Sequence, residues 1–163
     1  MRLTSSAFED GGMIPDRYSK QGGNISPPLK WTGVPDEAVS LALVVEDPDA
    51  PSGLVVHWLV YGIDPKIQQL DQGLPVGPEL PNGARQGSNV AGEFGYTGPK
   101  PPSGTHRYFF HLYALDTETD LPPGMSREEV YGVIHGHILA EAELMGRYPA
   151  KGESQQQRGA GSQ

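Results

Sequence analysis

The sequence predicts a mainly β fold with a few short helices, on three observations. Three apolar segments have the length and content of buried strands: residues 40–46, 55–63 and 105–115. The 22 glycines and 16 prolines are distributed between the apolar segments, as in a turn-rich β domain. A chain of 163 residues with 36% hydrophobic content suffices for one core. We therefore expect a single domain over residues 1–149 and a disordered polar tail over residues 150–163.

The first thirty residues are expected to contain two extended segments. Residues 3–8 have the length of a short edge strand. The stretch that follows after a turn contains Pro27 and Pro28, which exclude a helix there. In an extended conformation, alternation places Leu29 and Trp31 on the same side.

The first two long strands enclose a short loop. Residues 40–46 are apolar almost throughout and predict a buried strand that ends at two aspartates. Residues 55–63 predict the next strand, with a histidine near its start. Strict alternation would place His57 on the face of Leu59 and opposite to Trp58.

The third long strand also carries a histidine at its start. In residues 105–115, alternation places His106 and Tyr108 on one face and Arg107 on the other. Because Arg107 points away from this histidine, we expect it to pair with an acidic side chain, for which Asp49 is the candidate.

Two segments carry the signals of a helix start. Asp64 and Pro65 suit the N-cap and the first position of a short helix that Gly73 would end. Ser126 and Glu129 form a capping box, and the apolar residues that follow at helical spacing predict a helix. A glycine, Gly146, would end this second helix, and its two internal glycines are expected to mark close packing.

Composition excludes several classes of function. The net charge is −8 and the 12 lysines and arginines are scattered, so a nucleic-acid partner is not expected. The chain has no cysteine, which excludes disulfides, thiolate catalysis and cysteine-ligated zinc. The first residues lack the pattern of a secretory signal, and no apolar run has transmembrane length. We therefore expect a cytoplasmic protein.

Five polar residues at or near the ends of the predicted strands are candidates for a binding site. They are Asp47, Asp49, His57, His106 and Tyr108. If their strands are neighbours, the side chains converge on one pocket, where imidazole and phenol groups are good donors to a phosphate oxygen. A carboxylate in such a pocket would orient a histidine or accept from a ligand cation, which suits a zwitterionic phosphoamine head group.

Other interpretations of the same residues stay open. The aspartates could only shape the turn, and the histidines could be satisfied core residues. His57, His106 and Asp47 could form an open metal site, although no close ligand spacing supports it. No Gly-x-Ser-x-Gly turn and no nucleotide P-loop is present. We therefore expect no catalytic residue, no cofactor and no metal.

Several motifs resemble the signature regions of one family. They are Asp-Pro-Asp-Ala-Pro-Ser at residues 47–52, His-Trp-Leu-Val-Tyr-Gly-Ile at 57–63 and Gly-Pro-Lys-Pro-Pro-Ser-Gly-Thr-His-Arg-Tyr at 98–108. Together with Ile-Ser-Pro-Pro-Leu-Lys-Trp at 25–31, they resemble the phosphatidylethanolamine-binding protein family, which includes the Raf kinase inhibitor proteins. The resemblance covers residues 2–148 in the order that the family shows.

The resemblance implies a fold and a site. The fold would have a large central antiparallel sheet with a smaller sheet packed on it. Its anion pocket would lie at one end of the large sheet and bind a phosphate-like or phosphorylethanolamine-like group. The positions that match the pocket residues of the family are Asp47, His57, Pro102, His106 and Tyr108.

The resemblance also implies possible partners. Eukaryotic members regulate kinases or inhibit serine proteases, so a kinase or protease partner is an alternative function. Those members carry a further C-terminal helix beside the pocket, whereas this chain has only a polar segment after Tyr148. It is similar to the compact bacterial and archaeal branch, in which homodimers are common.

Overall fold

The computed structural model describes residues 1–152, and most of the tail expected over residues 150–163 lies outside the described part. Ala150 itself is buried, and its N–H donates to the carbonyl oxygen of Gly104 at 2.8 Å. The strands are β1 (Arg2–Thr4), β2 (Leu29–Thr32), β3 (Ser40–Asp47), β4 (Val55–Ile63), β5 (Gln69–Leu70), β6 (Arg85–Gln86), β7 (Thr105–Leu115) and β8 (Ile138–Pro149). The α-helix is α1 (Arg127–Ile134), and a single 3-10 turn spans Asp16–Tyr18.

The strands form two antiparallel sheets. The larger has the order β6-β4-β3-β7-β8 and the smaller the order β1-β2-β5. Trp31 of the smaller sheet packs in one apolar cluster with Leu43 and Phe110 of the larger sheet. The other face of the larger sheet packs against α1, where Val44 and Tyr61 meet Ile134. The expected mainly β fold with a large and a smaller packed sheet is confirmed.

Strand β3 lies at the centre of the larger sheet and is buried along its whole length. It pairs with β4 on one side and with β7 on the other, so that its last residue lies beside the first residues of both neighbours. Asp47 is paired with Val55, and Glu46 with Phe109. One end of the sheet therefore brings together the end of β3 and the beginnings of β4 and β7.

A β-bulge in β4 changes the face to which its histidine belongs. The pairing with β3 passes from Val45 and Trp58 directly to Glu46 and Val56, which leaves His57 as the extra residue. Strict alternation would place His57 under α1, but its ring contacts Tyr108 on the opposite face of the sheet. The expectation that His57 shares a face with the residue two positions on is wrong, because the bulge resets the alternation.

The second predicted helix is only partly correct. The capping box is present: the Ser126 hydroxyl accepts from the Glu129 N–H, and the Glu129 carboxylate accepts from the Ser126 N–H. The helix ends at Ile134, close to Gly136, whose φ of +83° suits glycine. From Ile138 the chain forms β8, whose buried and exposed residues alternate along most of its length. Pairing with β7 overrides the helical spacing of its apolar residues.

The first predicted helix is wrong. Asp64 instead starts a turn in which its carboxylate accepts from the Lys66 N–H at 2.8 Å. The chain then enters β5, which pairs with β2. The indole N–H of Trp31 also donates to the carbonyl oxygen of Ile67 at 2.9 Å. So short a segment gains little from helix formation, and the smaller sheet offers it backbone partners.

The first strand, β1, spans Arg2–Thr4. It begins one residue before the predicted segment 3–8 and ends well before that segment does. In β2, Leu29 and Trp31 are buried on one side, as expected. The predicted close packing at the helix glycines is not found, because a Cβ added at Gly132 would meet nothing within 4 Å.

Close backbone contact does occur at Gly98. A Cβ there would lie 2.2 Å from the carbonyl oxygen of Tyr18. Two hydrogen bonds hold the same contact: the Tyr96 hydroxyl donates to that carbonyl oxygen at 2.6 Å, and the Lys20 N–H donates to the Pro99 carbonyl oxygen at 3.0 Å. The segment around residue 20 is thereby fixed against residues 96–99.

We predict opposite effects for two glycine-to-alanine substitutions. Gly98→Ala forces two backbone segments apart and should lower the free energy of unfolding by about 1–3 kcal/mol. Gly132→Ala lies in open space on a helix and should raise it by up to about 1 kcal/mol. Urea denaturation of both variants measures the two changes. Equal stability of Gly98→Ala and the parent protein would contradict the close contact.

Candidate functional site

A cavity of about 270 Å³ lies at the end of the larger sheet where β3 ends and β4 and β7 begin. All five residues predicted for the site line it: Asp47, His57, Pro102, His106 and Tyr108. They come from β3, β4, β7 and the loop before β7, and the antiparallel pairing of the strands brings them together. The sequence prediction therefore identified residues that share one cavity.

A buried carboxylate–imidazole pair forms the floor of the cavity. Asp47 Oδ2 lies 2.6 Å from His106 Nδ1, and the two side chains are 3% and 7% exposed. The other oxygen, Asp47 Oδ1, accepts from the Asp49 N–H at 2.7 Å. An ionised carboxylate only accepts, so His106 Nδ1 carries a proton and Nε2 is the nitrogen left for a ligand.

The second histidine is held in the same way by a backbone carbonyl. His57 Nδ1 lies 2.7 Å from the carbonyl oxygen of Thr97, which can only accept, so Nδ1 again carries the proton. Burial lowers the pKa of His57, while the Thr97 carbonyl and the charge of Asp47 act in the opposite direction. The ring meets Tyr108 edge-on, with centroids 5.1 Å apart.

Tyr108 contributes a hydroxyl group that none of the described residues engages. Its side chain is 1% exposed and lines the cavity, yet no hydrogen bond joins its hydroxyl to any residue in the described range 1–152. Burial raises the pKa of Tyr108, and the negative charges of Asp47 and Asp49 raise it further. The phenol therefore stays protonated at neutral pH and is a donor.

Two lysines at the cavity were missed in the sequence. Lys20 and Lys100 both line it. The Lys20 ammonium lies 3.4 Å from the Thr97 hydroxyl, and the backbone contact at Gly98 fixes the segment that carries it. Lys100 lies inside the motif at residues 98–108 and could have been noticed there. Lys20 is distant in sequence and belongs to no pattern.

Asp49 lies outside the cavity, although it was in the first candidate set. It forms the ion pair predicted with Arg107: Arg107 Nε donates to Oδ2 at 2.9 Å and Nη2 to Oδ1 at 2.8 Å. The Arg107 hydrogen bonds lower the pKa of Asp49 to about 2. The pair fixes the loop after β3 to the beginning of strand β7.

Two further findings concern the described residues alone. Within residues 1–152, no three histidine, aspartate or glutamate side chains are grouped closely enough to hold a metal ion, and this includes His57, His106 and Asp47. In the same range, no helix has both the length and the apolar character needed to cross a bilayer.

Comparisons with known sequences identify relatives of similar length. The sequence model described as phosphatidylethanolamine-binding protein matches residues 4–149. A UPF0098 protein of Methanothermobacter thermautotrophicus is 54% identical over 148 residues, which cover 91% of this chain and 98% of that protein. A UPF0098 protein of Chlamydia trachomatis is 47% identical over 153 residues, with 91% and 98% covered.

Two solved structures have the same fold. A phosphatidylethanolamine-binding protein homologue from Chlamydia trachomatis superposes with a TM-score of 0.84 at 46% identity, over 92% of this chain and 97% of that one. Escherichia coli YbcL, described as a new member of the mammalian family, superposes with a TM-score of 0.85 at 34% identity, over 92% and 98%. The chain thus belongs to the phosphatidylethanolamine-binding protein family.

Proposed function

We propose that the cavity binds a small anion, a phosphate or the phosphate of an organic head group, and that the protein performs no chemistry on it. The observation that supports this proposal is the set of unengaged polar groups at one buried end of the sheet. The Tyr108 hydroxyl has no partner among the described residues, and the Nε2 atoms of His57 and His106 are the ring nitrogens left for a ligand. The Tyr108 hydroxyl is a donor to phosphate oxygens, and each Nε2 becomes a charge-assisted donor when its ring takes up a second proton.

The acidic partners support binding rather than oppose it. The Asp47 carboxylate lies 2.6 Å from His106 Nδ1, so its negative charge would balance that of an imidazolium formed when an anion binds at Nε2. Lys20 and Lys100 add positive charge at a protein whose overall charge is −8. An anion in this cavity would therefore lie near two lysines and the Tyr108 hydroxyl, while the carboxylate of Asp47 is engaged by His106.

The side chains of the cavity favour binding over catalysis. Among the described residues that line it, none is a serine or a cysteine, and the Thr97 hydroxyl is 3.4 Å from the Lys20 ammonium. The raised pKa of Tyr108 disfavours the phenolate that a nucleophilic role would require. Two imidazoles and a phenol, with no serine or cysteine among the described lining residues, are better suited to binding an anion than to attacking it.

The donors should contribute measurably to affinity. We expect His106→Ala and Tyr108→Phe each to weaken phosphate binding by about 1–3 kcal/mol, because each removes a hydrogen bond to a charged group. Isothermal titration calorimetry with inorganic phosphate measures the change. His135→Ala and Tyr131→Phe are matched controls, since one is an exposed histidine and the other a tyrosine under the opposite face of the sheet. Unchanged affinity in both cavity variants would contradict the proposal.

Binding should also depend on pH. Both imidazoles already use their Nδ1 proton within the protein, so donation from Nε2 to an anion requires a second proton. Sulfate does not titrate between pH 8 and 5.5, and its affinity should therefore rise as the pH falls, by at most about tenfold per unit for each proton taken up. We expect one of the two imidazoles to take up this proton.

Calorimetry in buffers of different ionisation enthalpy measures the proton uptake directly. Replacing the imidazole that takes up the proton, in His57→Gln or in His106→Gln, should reduce both the uptake and the slope, while the parent protein keeps both. A flat affinity for sulfate from pH 8 to 5.5 would show that neither histidine becomes charged on binding.

A further inference from the structure

Strand β8 forms one edge of the larger sheet, and its two halves differ in how that edge is paired. In the second half, the N–H and carbonyl oxygen of Arg147 and the carbonyl oxygen of Met145 all bond to residues 11–14. In an antiparallel pair, the backbone groups that point away from the neighbouring strand belong to every second residue. In the first half of β8, the outward groups are therefore those of Glu141 and Glu143.

The first half of this edge is open. Within residues 1–152, no hydrogen bond joins the outward N–H and carbonyl groups of Glu141 and Glu143 to another element. The strand also begins with two large apolar side chains that are partly exposed, Ile138 at 39% and Leu139 at 41%. Unpaired backbone groups beside exposed apolar side chains can accept a further strand.

A surface depression beside the open edge gives such a strand room. It has a volume of about 480 Å³ and lies between β1, the loop that follows β1, and Glu143 and Leu144 of β8. Residues 11–14 already run along the second half of β8 and form a parallel bridge there, between Met13 and Arg147. An added strand would continue the line of this segment along the first half.

The charges around the open edge determine which strand fits it. Four acidic side chains lie on the edge or line the depression: Glu9, Asp10, Glu141 and Glu143. Among the described residues that line the depression, Arg2 is the one basic side chain. Glu143 lies 3.6 Å from His111 Nδ1 and remains 57% exposed. A second copy paired here would bring the glutamates of both chains together, which is unfavourable, whereas lysine or arginine would be attracted.

We propose that the open edge of β8, at residues 138–143, binds an extended basic segment of a partner protein by strand addition. The backbone groups of Glu141 and Glu143 would bond the segment, and their carboxylates would select lysine or arginine at alternate positions. The cavity lies at the other end of β8, where Tyr148 pairs with His106. The two surfaces are separate, so this inference does not depend on anion binding.

Three peptides test the proposal. The first is a fluorescein-labelled Lys-Val-Lys-Val-Lys-Val-Lys. The second has glutamate in place of lysine, and the third is the first peptide with every backbone amide N-methylated, which keeps the charges and removes the donors. We expect fluorescence anisotropy to show saturable binding of the first peptide, at least about tenfold tighter than that of either other peptide.

Protein variants identify the surface that binds. Glu141→Gln combined with Glu143→Gln should weaken binding of the lysine peptide at least about fivefold, because two exposed charge pairs are lost. Glu79→Gln combined with Glu93→Gln is the matched control. It removes the same charge from two exposed glutamates in the segment between β5 and β7, and Glu79 bridges to β6 at the opposite edge of the sheet. This control should bind as the parent protein does.

Hydrogen exchange measured by NMR reports on the edge itself. The amide protons of Glu141 and Glu143 should exchange rapidly in the free protein and slowly when the lysine peptide is bound. The Ala142 amide, which faces β7, should be protected in both states.

Three outcomes would overturn the proposal. If the N-methylated or the glutamate peptide binds as tightly as the lysine peptide, strand addition by a basic segment is wrong. Full affinity of the Glu141→Gln, Glu143→Gln protein would place the binding elsewhere. If sedimentation velocity shows that the parent protein is a dimer and that Leu139→Lys dissociates it, a second copy occupies the edge instead.

Discussion

The cavity depends on one electrostatic constraint, the burial of a carboxylate at the end of the central strand. Asp47 is 2% exposed, and an unpaired charge at such a depth would cost several kcal/mol. The partner that compensates it, His106, begins the neighbouring strand β7, and the Asp49 N–H supplies the second hydrogen bond. Because these contacts require β3 and β7 to be in one register, the pairing of the strands and the shape of the cavity are determined together.

The acidic residues near Asp47 also form ion pairs with neighbouring elements, on both faces of the sheet. Asp49 is bound by Arg107 of β7 in two hydrogen bonds. On the opposite face, Glu46 lies 2.6 Å from Arg127 at the start of α1 and 3.2 Å from His111 of β7. Burial raises the pKa of Glu46, but the hydrogen bonds from His111 and Arg127 outweigh it and the pKa lies below its usual range. Three acids at the end of one strand thus fix β3 to β7 and to the helix.

Sequence patterns predicted the strands and the capping box because these features are local. β3, β4 and β7 are predominantly apolar, and a capping box is a contact between residues three positions apart. Capping signals and helical spacing predicted helices over residues 64–73 and 138–146. Both predictions failed because these segments pair with strands that are distant in sequence. In the candidate site, the five predicted residues share the cavity, but Lys20 reaches it through a contact between distant loops. The face of the sheet on which His57 lies was predicted wrongly, because a bulge is not visible in the alternation of residue types.

The same bulge explains why the cavity is preformed. As the extra residue of β4, His57 is free of the ladder and bonds Thr97 twice: its carbonyl oxygen accepts from the Thr97 N–H at 3.0 Å, and its Nδ1 donates to the Thr97 carbonyl oxygen at 2.7 Å. With His106 held by Asp47, both imidazoles have fixed rings before any ligand arrives. Binding then requires little ordering of side chains, which favours even a ligand with few atoms. A volume of about 270 Å³ suits a small ligand, for which the few polar groups that line the cavity would determine the selectivity.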